Sequence, residues 1–243
     1  MTEPQIMGHR GARFEAPENT VPGFRYAVGL GLTSVEFDVR LSADDALVVI
    51  HDETVDRTTN GEGRVADLTL QQLQALDARS IFPDWPEPCT IPTFAEVLDV
   101  VGQLPTIEVE IKSDAPERLE RLVPLVVEEI RSRGIGHQVM LTSFDAVALA
   151  IAQRVAPEIR RCYIGRWDSL EFVDTAKELG CCRAGVNHPN ANSDVVKAAR
   201  DQELEVCCWP TNSDDDLRSA LSFSPDVICT DNPSLIRELS ARA

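Results

Sequence analysis

The chain has 243 residues, 43% of them hydrophobic and 26% charged, which is ample apolar material for one large domain and too much for a disordered segment. Lysine and arginine number 23 against 40 aspartates and glutamates, a formal net charge of −17. A surface this acidic repels nucleic-acid phosphates and anionic lipid, so a phosphate-bearing ligand needs a local positive pocket or a metal ion.

From the N-terminus, Met1–Arg10 lacks the basic-then-apolar pattern of a signal peptide. A first strand at Gln5–Gly8 runs into Gly8-His9-Arg10-Gly11. Flanking glycines let the backbone approach a ligand closely, while His9 and Arg10 offer a proton carrier and an anion-binding fork. A helix over Val21–Gly29 leads to a second strand, Ser34–Leu41. There Glu36 and Asp38 are two apart and share one face, with Val35, Phe37 and Val39 on the other. If the apolar set packs under helices, the two carboxylates face the interior, where they repel each other unless a cation lies between them. Residues 42–46 read as a turn and Leu47–Asp52 as a returning strand. Pairing Leu41 with Leu47 carries His51 back opposite Phe37, beside the two acids.

Residues 52–92 break the alternation. They are too long for a strand-to-helix loop and hold Thr58-Thr59-Asn60-Gly61-Glu62-Gly63, a helical patch near Leu70–Leu76 and three prolines between Pro83 and Pro88. We expect an insertion or cap there. A strand at Thr106–Ile111 repeats the earlier anomaly: Glu108, Glu110 and Lys112 alternate with Val109 and Ile111. Two adjacent strands with inward carboxylates would form an oxygen-rich cage for Mg²⁺ or Ca²⁺. Further strands are expected at Gln138–Ser143, Arg160–Ile164, Arg183–Asn187, Leu204–Trp209 and Val227–Thr230, with helical patterns between them. The seven cysteines include two adjacent pairs, lack zinc spacing and read as buried thiols in a reducing cytoplasm. No apolar run reaches the ~18–20 residues that cross a bilayer.

Eight strands separated by helices in about 250 residues predict a parallel (β/α)8 barrel of TIM type. A doubly wound open sheet is the competing architecture. Residues 1–243 are expected to form one barrel domain, with 52–92 as its insertion after the second strand. His137 and His188 lack a comparable setting and are read as structural. Two histidines, several carboxylates, an arginine and a lysine suffice for metal-assisted phosphoryl transfer. No Walker loop, Gly-x-Ser-x-Gly elbow or dinucleotide fingerprint competes with that reading.

The ordered motifs His9-Arg10-Gly11, Pro17-Glu18-Asn19-Thr20, Glu36-Phe37-Asp38-Val39, His51-Asp52, Ile91-Pro92-Thr93, Glu110-Ile111-Lys112 and Thr230-Asp231-Asn232-Pro233 resemble the glycerophosphodiester phosphodiesterase family over essentially the whole chain. The resemblance implies a phospholipase-C-like barrel that hydrolyses small glycerophosphodiesters to an alcohol and sn-glycerol 3-phosphate. It matches His9 and His51 to the acid/base pair, and Glu36, Asp38 and Glu110 to the ligands of a divalent metal ion. Arg10 and Lys112 match phosphate-contacting positions. Glu18 would orient its neighbours in the first loop, and Asn19 or Thr20 would cap the following helix.

Two positions depart from the pattern. Trp209-Pro210-Thr211-Asn212 stands where Trp-Thr-Val-Asn is common, so Trp209 can wall the substrate pocket on an altered backbone. Glu108 replaces a frequent amide, where it either tunes the cation or pairs with Lys112. A lysophospholipase D- or sphingomyelinase D-like lipid phosphodiesterase is the alternative reading. It calls for an apolar entrance, and 5% aromatic residues with a charge of −17 advertise none. A barrel that binds without turnover should lack one of the five acid/base or ligand positions, and all five are present.

Overall fold

The computed structural model describes residues 3–165 and 169–241. In chain order the elements are β1 (Gln5–His9), α1 (Val21–Gly29), β2 (Ser34–Leu41), β3 (Leu47–Val49), α2 (Leu70–Gln74), α3 (Phe94–Val101), β4 (Thr106–Ile111), α4 (Pro116–Ser132), β5 (Val139–Ser143), α5 (Ala146–Val155), β6 (Arg160–Gly165), α6 (Glu171–Glu178), β7 (Arg183–Asn187), α7 (Ser193–Asp201), β8 (Glu205–Trp209), α8 (Asp214–Leu221), β9 (Val227–Thr230) and α9 (Pro233–Ser240). Strands β1, β9, β8, β7, β6, β5, β4 and β2 pair in parallel in that order, and β2 pairs back onto β1. The sheet closes. The barrel expectation is met and the open doubly wound sheet is excluded.

Strand β1 meets β2 only at Val35 and Glu36. Farther along, β2 gains an antiparallel partner in β3, with Leu41 opposite Leu47 and Val39 opposite Val49. Ile50 N–H then donates to the Asp38 carbonyl at 3.1 Å, extending the hairpin register to the residue before His51. Because side chains alternate along a strand, Val35, Phe37, Val39, Val109 and Ile111 face outward into the main core against the helices. Phe37 sits between Phe24 and Phe94, with ring centroids 5.4 and 5.9 Å away. The intervening acids are left facing the barrel interior.

Residues 52–92 carry α2 and a 3-10 turn at Val65–Asp67, and their Val55, Val65, Leu73 and Ile91 form a small core with Val48 of β3 and Ile50 after it. Both α2 and α3 start in capping boxes, Thr69 with Gln72 and Thr93 with Glu96, which satisfy free N–H groups of the first turn. All seven cysteines are free. The pair in β8 splits as alternation requires: Cys207 faces the interior with Met7 and Cys229, and Cys208 packs outside. Among the described residues no helix is long and apolar enough to cross a membrane.

Candidate active site

Parallel strands of a barrel deliver side chains to their C-terminal mouth. Strand β1 ends there at His9, and the chain turns so sharply that a Cβ on Gly8 would lie 2.0 Å from the Gly11 carbonyl oxygen. Arg10 takes the left-handed conformation, φ 51°, which costs free energy for a residue with a side chain. That conformation aims its N–H at Glu36 Oε2, 3.1 Å away. The Arg10 guanidinium reaches Glu18 at 3.0 Å and Asp38 at 3.4 Å.

Pairing of β2 with β4 sets Asp38 opposite Glu110 and Glu36 opposite Glu108. Carboxylate oxygens of Glu36, Asp38 and Glu110 come within 4.8 Å of one another, all buried. Burial and the Asp38 charge push the Glu36 carboxyl well up, and the same two causes raise Glu110 to about 7. Burial also opposes ionised Asp38, but Lys112, Arg10 and His51 outweigh it and hold Asp38 well below the usual range. Lys112 lies 2.5 Å from Glu110 and 3.4 Å from Asp38.

A divalent cation fits this set. Glu36 Oε1 and Asp38 Oδ1 are buried acceptors without a hydrogen-bond partner, so each has a lone pair to offer. The donors are hard carboxylate oxygens, and a bound dication would reverse the repulsion that drives two of them toward protonation.

The two histidines are each gripped from behind. His9 Nδ1 lies 2.5 Å from Asp231, which is held in turn by the Asn212 amide at 2.7 Å and by Arg13 at 3.3 Å. His51 Nδ1 lies 2.6 Å from Asp52, which Arg57 holds at 2.6 Å. In both, an aspartate on Nδ1 fixes the ring and leaves Nε2 for the pocket. Burial lowers the pKa of each histidine below 6.5 despite its aspartate. His9 Nε2 stands 3.8 Å from Glu36.

All of this opens on a cavity of about 390 Å³ that includes His9, Arg10, Glu36, His51, Glu110 and Trp209 in its wall. Asp38 and Lys112 stand just behind that wall, tied to its charged groups. Trp209 meets Phe144 edge-on at 5.6 Å despite the altered Pro210 backbone. His188 is buried, and its Nε2 lies 2.7 Å from the Pro210 carbonyl oxygen, a support for that wall.

Of the two residues expected to cap α1, Thr20 does so, and Asn19 donates to Asp38 at 2.8 Å. Two expectations need correction. Glu108 does not pair with Lys112; it crosses the barrel to Arg183 at 2.9 Å, because Lys112 is already engaged by Glu110 and Asp38. The entrance is not devoid of apolar surface: Phe14 is 53% and Phe144 44% exposed, and both line the cavity with Trp209. Sequence reasoning also gave no role to Asp231, Asn212 or Arg57. Asp231 lies in a recognised motif, but its partner is 222 residues away.

The family model for the glycerophosphoryl diester phosphodiesterase family matches residues 9–235. A glycerophosphodiester phosphodiesterase of Caldanaerobacter subterraneus subsp. tengcongensis is 31% identical over 238 residues, 96% of each chain. One from Bacillus altitudinis is 32% identical over 236 residues, 94% of this chain and 95% of its own. Among solved structures, a phosphodiesterase of Oleispira antarctica in complex with the product sn-glycerol-3-phosphate superposes with a TM-score of 0.89 at 26% identity, covering 99% of this chain and 97% of its own. With the barrel, the paired histidines and the acidic trio in the order the motifs demand, the match over nearly the full length makes this chain a member of the glycerophosphoryl diester phosphodiesterase family.

Proposed function

We propose that the protein hydrolyses small glycerophosphodiesters to an alcohol and sn-glycerol 3-phosphate, with His9 and His51 as the acid/base pair. The observation that carries this reading is one cavity wall holding two aspartate-backed imidazoles, Arg10, Glu36 and Glu110, with Asp38 closing the acidic trio just behind it. It agrees with family membership and with the product held by the Oleispira relative. We read residues 1–243 as one barrel unit and 52–92 as its insertion, and we place the protein in the cytoplasm on the strength of its seven free thiols.

Glu36, Asp38 and Glu110 would hold Mg²⁺ or Ca²⁺. Such an ion would neutralise charge on the non-bridging phosphate oxygens and make a neighbouring hydroxyl more acidic. Arg10 and Lys112 add positive charge on the same side, where the phosphate would sit. One histidine takes the proton of the substrate's 2-hydroxyl as that oxygen attacks phosphorus. The other protonates the departing alcohol as its P–O bond breaks. Water then opens the cyclic phosphate with the two proton roles exchanged, so the balance is one diester and one water to one alcohol and one glycerol 3-phosphate. Asp231 and Asp52 keep the rings oriented through both steps.

The test is a coupled glycerol 3-phosphate assay over a panel of head groups on EDTA-treated protein, with and without each cation. Release of glycerol 3-phosphate that needs the cation supports the reading, and none with any head group defeats it. The exposed Phe14 and Phe144 favour one second reading, the lipid phosphodiesterase. Faster turnover of a micellar lysophospholipid than of glycerophosphocholine would select it.

A further inference from the structure

Arg57 lies in the 52–92 segment, outside the recognised motifs, yet its guanidinium serves two carboxylates at once. Nε and Nη2 reach Asp52 at 2.6 and 3.3 Å. Nη1 and Nη2 reach the two oxygens of Glu18 at 2.8 Å each. Glu18 is a nearly buried side chain of the first loop, and its Oε1 also accepts from Arg10 at 3.0 Å. A continuous chain of charge-assisted bonds therefore runs from His51 through Asp52, Arg57 and Glu18 to Arg10. It joins the end of the β3 hairpin to the loop after β1, two segments with separate backbones.

The energetic logic favours a positioning role over a stabilising one. The Arg57 side chain is 39% exposed, and its nearly buried partner Glu18 keeps the bond from Arg10 when Arg57 is changed, so the fold loses little. Its geometry is nonetheless specific, because a planar guanidinium with five donors can bridge two carboxylates and an ammonium cannot match that fork. The loop it braces is also a strained one: Arg10 and Asn19, at φ 51° and 55°, both occupy the left-handed region. Such conformations persist where surrounding contacts over-determine them. On the opposite side, His9 depends on Asp231, Asn212 and Arg13, and among the described residues no hydrogen bond or ion pair joins these three to the Arg57 chain.

We infer that Arg57 is a positioning residue that fixes His51 and Arg10 as one unit, the catalytic contribution of the 52–92 segment. The inference rests on the roles given to His51 and Arg10 above. In the glycerophosphodiester assay with cation present, Arg57→Gln lowers kcat/KM about 100-fold, the cost of a small misplacement at the reacting centre. Melting temperature stays close to the parent. Asp52→Asn or Glu18→Gln combined with Arg57→Gln costs no more than the worse single change, since all three break one chain. Asn212→Ala combined with Arg57→Gln multiplies, since the two act on different histidines. Arg57→Ala regains turnover on addition of methylguanidinium, a rescue that a merely structural residue would not show.

Full activity in Arg57→Gln, or losses that multiply with Asp52→Asn, would overturn the inference. Should Arg57→Gln fail to fold, Arg57→Lys decides: it keeps the charge without the fork, and parental turnover in it overturns the claim equally. Cation-dependent turnover by the parent protein separates failure of this inference from failure of the proposed function.

Discussion

One half of the barrel mouth is charged and the other apolar. Strands β1, β2 and β4, with the hairpin strand β3, bring His9, Arg10, Glu36, Asp38, His51, Glu110 and Lys112 together, joined by ion pairs and hydrogen bonds. Across the cavity, β5 to β8 contribute Phe144, Ile164, Gly185, Cys207 and Trp209. The fold is the same repeated strand and helix on both sides. Above the floor of the barrel, the difference lies in what alternates with the outward apolar residues: acids on β2 and β4, and Ile164, Gly185, Cys207 and Trp209 on β6 to β8. The charged arc is suited to orient a phosphate and move protons, while the apolar arc excludes water and shapes what else can enter.

The charged arc is expected to be fragile in activity. His9→Ala and His51→Ala should each lower kcat by about 10²–10⁴-fold, the usual contribution of a positioned acid or base. Cation binding, read by calorimetric titration, should survive in both. Parental turnover in either variant would remove that histidine from the pair. The floor between the arcs is expected to be fragile in stability instead. Glu108 and Arg183 form an ion pair with both side chains 4% exposed, and burial pushes the Glu108 carboxyl up even against its partner. Arg183→Met strands Glu108 and should cost about 3–5 kcal/mol in denaturant unfolding, while Glu108→Leu with Arg183→Met recovers most of it. A single variant as stable as the parent would mean that the pair is not holding the floor.

The charged arc was also the more legible in sequence. Glu36 and Asp38, or Glu108 and Glu110, betray a shared face within a few residues, and the Leu41–Leu47 pairing follows from a short turn. What stayed hidden depends on closure. Asp231 reaches His9 from 222 positions away, Arg183 meets Glu108 across 75, and Arg57 meets Glu18 across 39. No local periodicity encodes such contacts, although the motif around Asp231 marked the place. The apolar rim was missed for another reason. Composition averages over the whole chain, whereas a rim needs only Phe14, Phe144 and Trp209 in one place. Whether Asn19 or Thr20 caps α1 was likewise open locally, and Asp38 decided it by taking the Asn19 amide.

The acidic trio also ties pH to stability. With no cation bound, Glu36 and Glu110 keep their protons to higher pH in the folded chain than when unfolded. The native state then binds more protons than the unfolded state between the ordinary 4.5 and about 7, so its stability falls as pH rises through that window. A dication bound by the trio competes with those protons, and its stabilising effect should grow as pH rises. Melting temperatures with EDTA and with added Mg²⁺ or Ca²⁺ would read this directly. A shift independent of pH would place the ion elsewhere. Asp38→Asn should weaken the shift, because it removes the trio's most firmly ionised member.

The smallest effect belongs to the apolar arc, and it sharpens the comparison most. Phe144 is 44% exposed and braced edge-on by Trp209, so its removal should leave the fold and the charged arc intact. Each CH₂ buried against such a surface contributes about 0.8 kcal/mol, close to fourfold in kcat/KM if the contact persists in the transition state. A series of glycerophosphodiesters with lengthening alkyl leaving groups should therefore rise in kcat/KM with each carbon on the parent protein. Phe144→Ala should flatten that rise and leave a polyol diester such as glycerophosphoglycerol untouched. An equal loss on both substrates would show that Phe144 props Trp209 and the polar arc, and the division of the mouth into two independent halves would fail. If only the alkyl series responds, substrate choice is set on β5 and β8 while chemistry is set on β1, β2 and β4.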